Sequence, residues 1–527
     1  MTLPGKPLQI AWFLLLAITV CIVLTVRIRL LDLPLERDEG EYAYAGQLLL
    51  QGVPPYQLAY NMKFPGTSAA YALLMSIFGQ TTAGVHLGLL VVNVATMALV
   101  FLLAKRLLNS TVACAAAAAY ALLSVSPSGQ GFAGHATHFV VLPVLCGTWL
   151  LLVARERSVA LICASGVLFG LGVLMKQPGA VFVLFALVYL FWRDSAEGLD
   201  VRSRLVRSGA FVSGALLPFA AMCLLLWQAG VFQKFWFWTF QYAREYGTQT
   251  SLSQAVQNFV FAMKYVVGAE ALLWALAAIG AIVCLANLKS HPHRLLLALL
   301  VAGAVAVLPG FHFRPHYFIL VLPAVALLVG VAADLRLPKF RLLPLLSFLL
   351  VSAALVWPLL AHRAFFFRLS PEAASRHVYG TNPFPESLRI GDFLRENTTP
   401  DDTIAVLGSE PQIYFYANRR SATGYIYTYG LMERHQYAAQ MQQEMVREIV
   451  AARPKFIVMV SVGASWLRQP DSDETLMNWF NEYSTRELQP AGYVGIISSD
   501  NTEYYLPYRS ESLTPTETHL TIWQRKL

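Results

Sequence analysis

Acidic and basic side chains crowd one short stretch, "LERDEGEYAYAGQLLLQGVPPYQLAYNMKFPG" from Leu35 to Gly66, directly after an apolar N-terminal segment. Asp38 and Glu39 are adjacent, Glu41 follows, and Lys63 stands farther on. A carboxylate beside a membrane segment can take a proton from an attacking hydroxyl. A lysine can compensate a phosphate as a point charge. If "DEGEYAYAGQLLLQG" opens a helix, Asp38 sits near its N-cap, Tyr42 and Gly46 continue one face, and Gly52 and Pro54 end it. Glu39, one position on, then points in another direction and organises the loop. The plainer reading of these acids is an N-terminal cap on an interfacial helix. Lys63, ahead of Phe64, Pro65 and Gly66, either snorkels to headgroups or binds a phosphate.

Other loops repeat the choice. Lys176, in "LGVLMKQPGAVFVL", joins two apolar runs with almost no connection, where an anionic partner accounts for a lysine best. "GFHFRPHYFILVLP" carries Arg314, His316 and Tyr317; the planar donors of arginine suit a phosphate and Tyr317 adds one more, while an aromatic interfacial anchor is the alternative. His312 and His316 are four apart, but Pro315 interrupts the helix that would pair them and no third ligand stands out, so no zinc site is expected. His135 and His138, in "SPSGQGFAGHATHF", either contact substrate or are polar residues at a helix entrance. Trp238 and Tyr242 lie among aromatics between Trp236 and Tyr246, with rings suited to a sugar face or to an interfacial belt. "DSDE", Asp471 to Glu474, reads as helix capping rather than as a metal loop.

The elements that must position these residues are mostly apolar. Of 527 residues, 56% are hydrophobic and 13% charged, and mean hydropathy is +0.52, outside the balance of a soluble domain. Runs near 8–26, 83–103, 111–127, 137–154, 159–175, 178–192, 208–228, 267–287, 295–311, 316–333 and 342–361 predict about eleven transmembrane helices. The first run lacks a strongly basic flank and a clear cleavage site, so it is expected to be retained. The short piece Ala69 to Phe78 is expected to be re-entrant or interfacial. Lys105 and Arg106, Arg155 and Arg157, Arg193, Arg202, Arg204 and Arg207, Lys289 and Arg294, and Arg336, Lys339 and Arg341 gather on alternate connections. This places them and the N-terminus in the cytoplasm and the C-terminal region outside. The net charge of +8 is thus a matter of topology, and no nucleic-acid partner is expected. Cys21, Cys114, Cys146, Cys163, Cys223 and Cys284 all lie in apolar runs, which argues against disulfides and a cysteine metal site.

From about Ser375 the composition changes. Short β-branched runs at Thr403 to Leu407, Pro454 to Val460, Tyr493 to Ile497, Tyr504 to Tyr508 and Leu520 to Trp523 alternate with helical patterns, as in "HQYAAQMQQEMVREIVAA". The expectation is a mainly α polytopic membrane domain, 1–361, a connection, 362–374, and a soluble α/β domain, 375–527.

The first loop resembles that of GT-C class integral-membrane glycosyltransferases, specifically bacterial protein mannosyltransferases and lipid A aminoarabinose transferases. Asp38, Glu39 and Tyr42 match the acidic pair and aromatic residue of that loop, and Lys63 with Pro65 matches its lysine beside proline. "MKQPG", "RPHYFILVLP" and "EPQIYFYANRR" resemble later segments. The resemblance implies inverting transfer of a monosaccharide from a polyprenyl monophosphate donor to a lipid, glycan or protein acceptor at the outer face of a bacterial cytoplasmic membrane. It makes Asp38 the general base, with Glu39 beside it. Lys63, then Lys176, Arg314 and Tyr317, are the candidates for the donor phosphate. Tyr42, His135, His138, His316, Trp238 and Tyr242 remain candidates for substrate contact. No acidic residue occupies the second outer loop, and no convincing set of metal carboxylates is present. A metal-independent reaction without cofactor is therefore expected. A lipid or solute transporter is the alternative, but no repeat supports it and the polar residues gather at loops rather than mid-span.

Overall fold

Backbone that crosses a bilayer must satisfy its own hydrogen bonds, so apolar runs fold as helices. The computed structural model describes residues 5–154, 158–247, 250–335, 340–509 and 516–526. Among these, seven helices are long and apolar enough to cross a membrane: Lys6–Arg29, Thr82–Leu107, Ala136–Val153, Gln177–Ala196, Val201–Gln228, Leu252–Ala286 and Leu343–Ala361. The protein is a mainly α, multi-span membrane protein, and the expected eleven spans are corrected to seven. The other four runs form the shorter helices Ser110–Leu123, Val159–Met175, His291–Val307 and Leu322–Ala333. The local reasons are visible. Ser110–Leu123 stops ahead of the turn-forming "SVSPSGQG", Pro309 follows His291–Val307, and Pro315–Leu320 winds as a 3-10 turn before Leu322–Ala333 begins. A 14-residue helix reaches only about 21 Å at 1.5 Å per residue. The piece expected to be re-entrant or interfacial, Ala69 to Phe78, forms the helix Gly66–Phe78. Arg155, Arg157, Arg336 and Lys339 lie outside the described residues.

Two units share the chain, each assembled from separated segments. One comprises Met1–Leu30, His86–Leu224 and Thr250–Arg368. At its centre Ser110–Leu123, an alanine-rich helix buried along almost its whole length, packs against Leu322–Ala333 and Gly5–Arg29. Small residues permit the close approach. A Cβ on Gly330 would lie 2.6 Å from the Val112 carbonyl oxygen. Two of the loop arginines are not solvated topology markers. Arg193 and Arg207 enclose the fully buried Asp194, at 3.1 Å and 2.6 Å.

The other unit comprises Leu31–Val85, Leu225–Gln249 and Leu369–Leu527. It contains a six-stranded sheet in the order β2-β1-β3-β6-β4-β5, with β1 Thr403–Leu407, β2 Arg420–Ser421, β3 Phe456–Ser461, β4 Leu488–Ile496, β5 Thr502–Tyr505 and β6 His519–Arg525. β2, β1 and β3 run parallel, and β3, β6, β4 and β5 pair antiparallel. The predicted helix after "HQY" is Ala438–Ala452, the crossover that parallel pairing of β1 and β3 requires. Two-residue β2 carries no run long enough to be read from sequence.

Candidate functional site

The acidic loop builds its own helix, Arg37–Leu50. Its N-cap is Glu36, two residues earlier than Asp38. The Glu36 carboxylate accepts from the Glu39 amide at 2.9 Å, and Glu39 Oε2 accepts from the Glu36 amide at 3.4 Å, a capping box made of two acids. Glu39 is fully buried, so its carboxylate serves this helix start. Burial, then Asp38 and Glu39, pushes the Glu36 carboxyl well above its ordinary range. Asp38 lies in the first turn and is half-buried.

Lys63 returns to the same helix. Its Nζ donates to Asp38 Oδ1 at 2.9 Å and to Glu41 Oε2 at 2.6 Å, and lies 4.7 Å from the centre of the Tyr42 ring. The loop around it is fixed from within. Asn61 Oδ1 accepts from the Lys63 amide, and Tyr56, in the left-handed region at φ 64°, donates its hydroxyl to the Lys63 carbonyl. Burial opposes the lysine charge, but Asp38 and then Glu41 outweigh it and raise the Lys63 pKa well above the usual lysine range. The Glu41 carboxyl is raised by burial and by Asp38, against the pull of Lys63. Glu41, Asn61, Lys63 and Ser68 share a cavity of about 30 Å³ with Tyr56 and Phe64. Lys63 is therefore a shielded cation bridged to one partly accessible and one buried carboxylate. Sequence reasoning overlooked Glu41, although its place one helical turn after Asp38 was a signal.

Arg37 anchors the helix to the α/β domain. Its guanidinium pairs with Glu410 Oε1 at 2.5 Å and donates to Asn382 Oδ1 at 3.1 Å and to the Ser409 carbonyl. Gly40 completes the fit, since a Cβ there would stand 2.6 Å from the Gln412 amide nitrogen. The segment "EPQIYFYANRR" thus supports the acidic helix directly.

Within the membrane unit, two further pairs form. His135, at the N-cap of Ala136–Val153, stacks on His316 with ring centres 4.0 Å apart and planes 11° from parallel. Gln130 Oε1 lies 3.4 Å from His316 Nδ1, and Thr137 donates to the His316 carbonyl. Lys176 Nζ lies 3.6 Å from the centre of the Tyr317 ring, a cation–π contact. Arg314 is exposed at the start of the Pro315–Leu320 turn, and His138 is buried in the first turn of its helix.

Trp238 and Tyr242 are both buried. Trp238 stacks on Tyr60 at 5.3 Å, and the Tyr242 hydroxyl donates to Glu433 at 2.9 Å. Stacking on Tyr60 occupies one face of the Trp238 ring.

Comparison with known proteins fits this geometry. A family model described as dolichyl-phosphate-mannose-protein mannosyltransferase matches residues 63–227. No curated protein matches the sequence. The solved structure of ArnT from Cupriavidus metallidurans bound to undecaprenyl phosphate superposes with a TM-score of 0.63 at 14% identity, covering 96% of this chain and 97% of that one. The chain has a GT-C-like fold. AglB from Archaeoglobus fulgidus, in complex with an inhibitory peptide and a dolichol-phosphate, is similar at a TM-score of 0.51 and 13% identity, over 95% of this chain and 75% of that chain. The Archaeoglobus fulgidus oligosaccharyltransferase in complex with Zn and sulfate is similar at 0.53 and 16% identity, over 94% and 74%.

The expectation of a centre without metal or cofactor is corrected for this GT-C-like chain. The imidazoles of His135 and His316 lie together within the membrane unit, and the Archaeoglobus fulgidus structure of similar fold is in complex with Zn. A pair of imidazoles suits zinc or a similar divalent ion. Sequence reasoning sought the partner of His316 at His312, four residues away. The pairing imidazole is His135, which comes from a distant loop. Zn²⁺ is expected to raise the melting temperature of the folded chain, and His135→Ala or His316→Ala to diminish the rise. An undiminished rise in both variants, read by thermal shift, would remove the imidazoles from the metal site.

Proposed function

We propose that the chain is an inverting glycosyltransferase that moves a monosaccharide from a polyprenyl monophosphate donor to a lipid, glycan or protein acceptor. The observation that carries this reading is Lys63, held at 2.9 Å from Asp38 and 2.6 Å from Glu41 in a fold shared with an undecaprenyl phosphate complex. An acceptor hydroxyl oxygen attacks the anomeric carbon and gives its proton to Asp38. The bond from that carbon to the phosphate oxygen breaks, and polyprenyl phosphate leaves with an added negative charge. Lys63 meets this charge, exchanging its contact with Asp38 for the phosphate while Glu41 retains it. Lys176, Arg314 and Tyr317 are secondary phosphate contacts, and Tyr42, His135, His138, His316, Trp238 and Tyr242 contact substrate. His135 and His316, stacked in the membrane unit, would hold a divalent ion, which would supply further positive charge for the phosphate.

The reading extends to placement: a bacterial cytoplasmic membrane, the N-terminus inside, the α/β domain outside, and domain limits at 1–361 and 375–527. A panel of defined donors with mass-spectrometric detection tests the function. Release of polyprenyl phosphate from a polyprenyl monophosphate monosaccharide is the expected result. Turnover only with nucleotide sugars or lipid pyrophosphates, under the same acceptor coverage, would overturn it.

A further inference from the structure

The loop from Ser124 to His135 rests on side chains that the proposed reaction leaves unused. Arg27 Nη2 donates to the Ser124 carbonyl at 2.6 Å and to the Gly131 carbonyl at 3.3 Å. Ser126 Oγ donates to Glu270 Oε1. His362 Nε2 lies 3.4 Å from the same carboxyl oxygen and 3.2 Å from Ser128 Oγ. Glu270 is 1% exposed, at the end of the 3-10 turn Gly268–Glu270 that interrupts the span Leu252–Ala286.

One oxygen of Glu270 is accounted for by these contacts. The other, Oε2, is buried without a hydrogen-bond partner among the described residues, and so is the indole Nε1 of Trp274, one helical turn farther along. Both residues line one cavity of about 10 Å³, walled otherwise by Ser126, Gly129 and apolar side chains that include Leu123, Val266 and Phe318. That is the room of a single water molecule. Buried polar atoms are almost always satisfied, and two orphans facing one cavity ask for a common partner. The partner must accept from the indole N–H and donate to the carboxyl oxygen. A metal cation fails because it meets the N–H hydrogen, and an ammonium fails because it has donors alone. Water performs both roles.

We propose that this cavity binds one water molecule between Glu270 Oε2 and Trp274 Nε1, completing the polar bracket with which Glu270 holds the start of the Ser124–His135 loop. The site is independent of the transfer reaction. A structure of the full chain in nanodiscs, at a resolution that shows ordered solvent, is expected to contain density within hydrogen-bonding reach of both atoms. An empty cavity, or a species at metal–oxygen distance from Oε2, would overturn the proposal. A thermal cycle gives a second measure: Trp274→Phe lowers the melting temperature in the parent, and by less in a Glu270→Leu background, where the water has lost its anchor. The ring volume lost is the same in both backgrounds, so the difference isolates the coupling. Additive shifts would count against the bridge, and the density measurement decides even where Glu270→Leu fails to fold.

Discussion

Asp38→Asn lowers single-turnover transfer by roughly 10²–10⁴-fold, the usual scale of a lost general base, while donor binding stays near that of the parent. The substitution keeps the side-chain volume and still offers Lys63 an oxygen at the place now 2.9 Å from its Nζ. Glu41, 2.6 Å away on the other side, continues to hold the lysine. The phosphate contact therefore survives and the proton acceptor does not. Glu39→Gln separates the two acids, because Glu39 closes the capping box with Glu36 and its loss appears in protein abundance and melting temperature. A severe chemical defect in Glu39→Gln beside near-normal chemistry in Asp38→Asn would transfer the role to Glu39.

Arg37→Ala destabilises the unit that contains the α/β domain by about 3–5 kcal/mol, the cost of leaving one member of a buried ion pair alone. Glu410 is fully buried; without Arg37 it keeps the amide of Gln412 at 2.7 Å, a neutral donor in place of a charge. The Ser409 carbonyl and Asn382 lose a donor as well. Thermal melting and limited proteolysis of the C-terminal region read the loss. Arg37→Met combined with Glu410→Leu is expected to recover much of it, since removing both charges costs far less than removing one. A melting temperature for Arg37→Ala equal to that of the parent would show that the pair bears little of the stability.

The sequence made the pairing of Lys63 with the acidic helix legible because Asp38, Glu39 and Lys63 share one loop, where residue types and helical spacing suffice. The strands were legible for the same reason, as β-branched runs bounded by turns. Hydropathy overcounted the spans because it measures apolar content and not where the backbone stops being helical; Pro127, Pro309 and Pro315 decide that. The surroundings of Trp238 and Tyr242 were not legible because the residues they contact, Tyr60 and Glu433, come from distant parts of the chain. The metal ligands were missed on similar grounds: His135 and His316 meet through the fold, and a search along one helix pairs His316 with the wrong neighbour.

The interleaved chain order bears on biogenesis. The helix that carries Asp38 is among the first segments to leave the ribosome, whereas its anchor Glu410 and its packing partner Gln412–Ala417 are translated hundreds of residues later. Domains synthesised in one piece can fold as they emerge, but this unit waits for its last segment. Until then Arg37 has no counter-ion and the Gly40 surface no neighbour, so the acidic loop passes through insertion unsupported. Maturation of the acidic loop is thereby coupled to completion of the polypeptide, and a chain truncated before Glu410 inserts its spans without the anchor of Arg37.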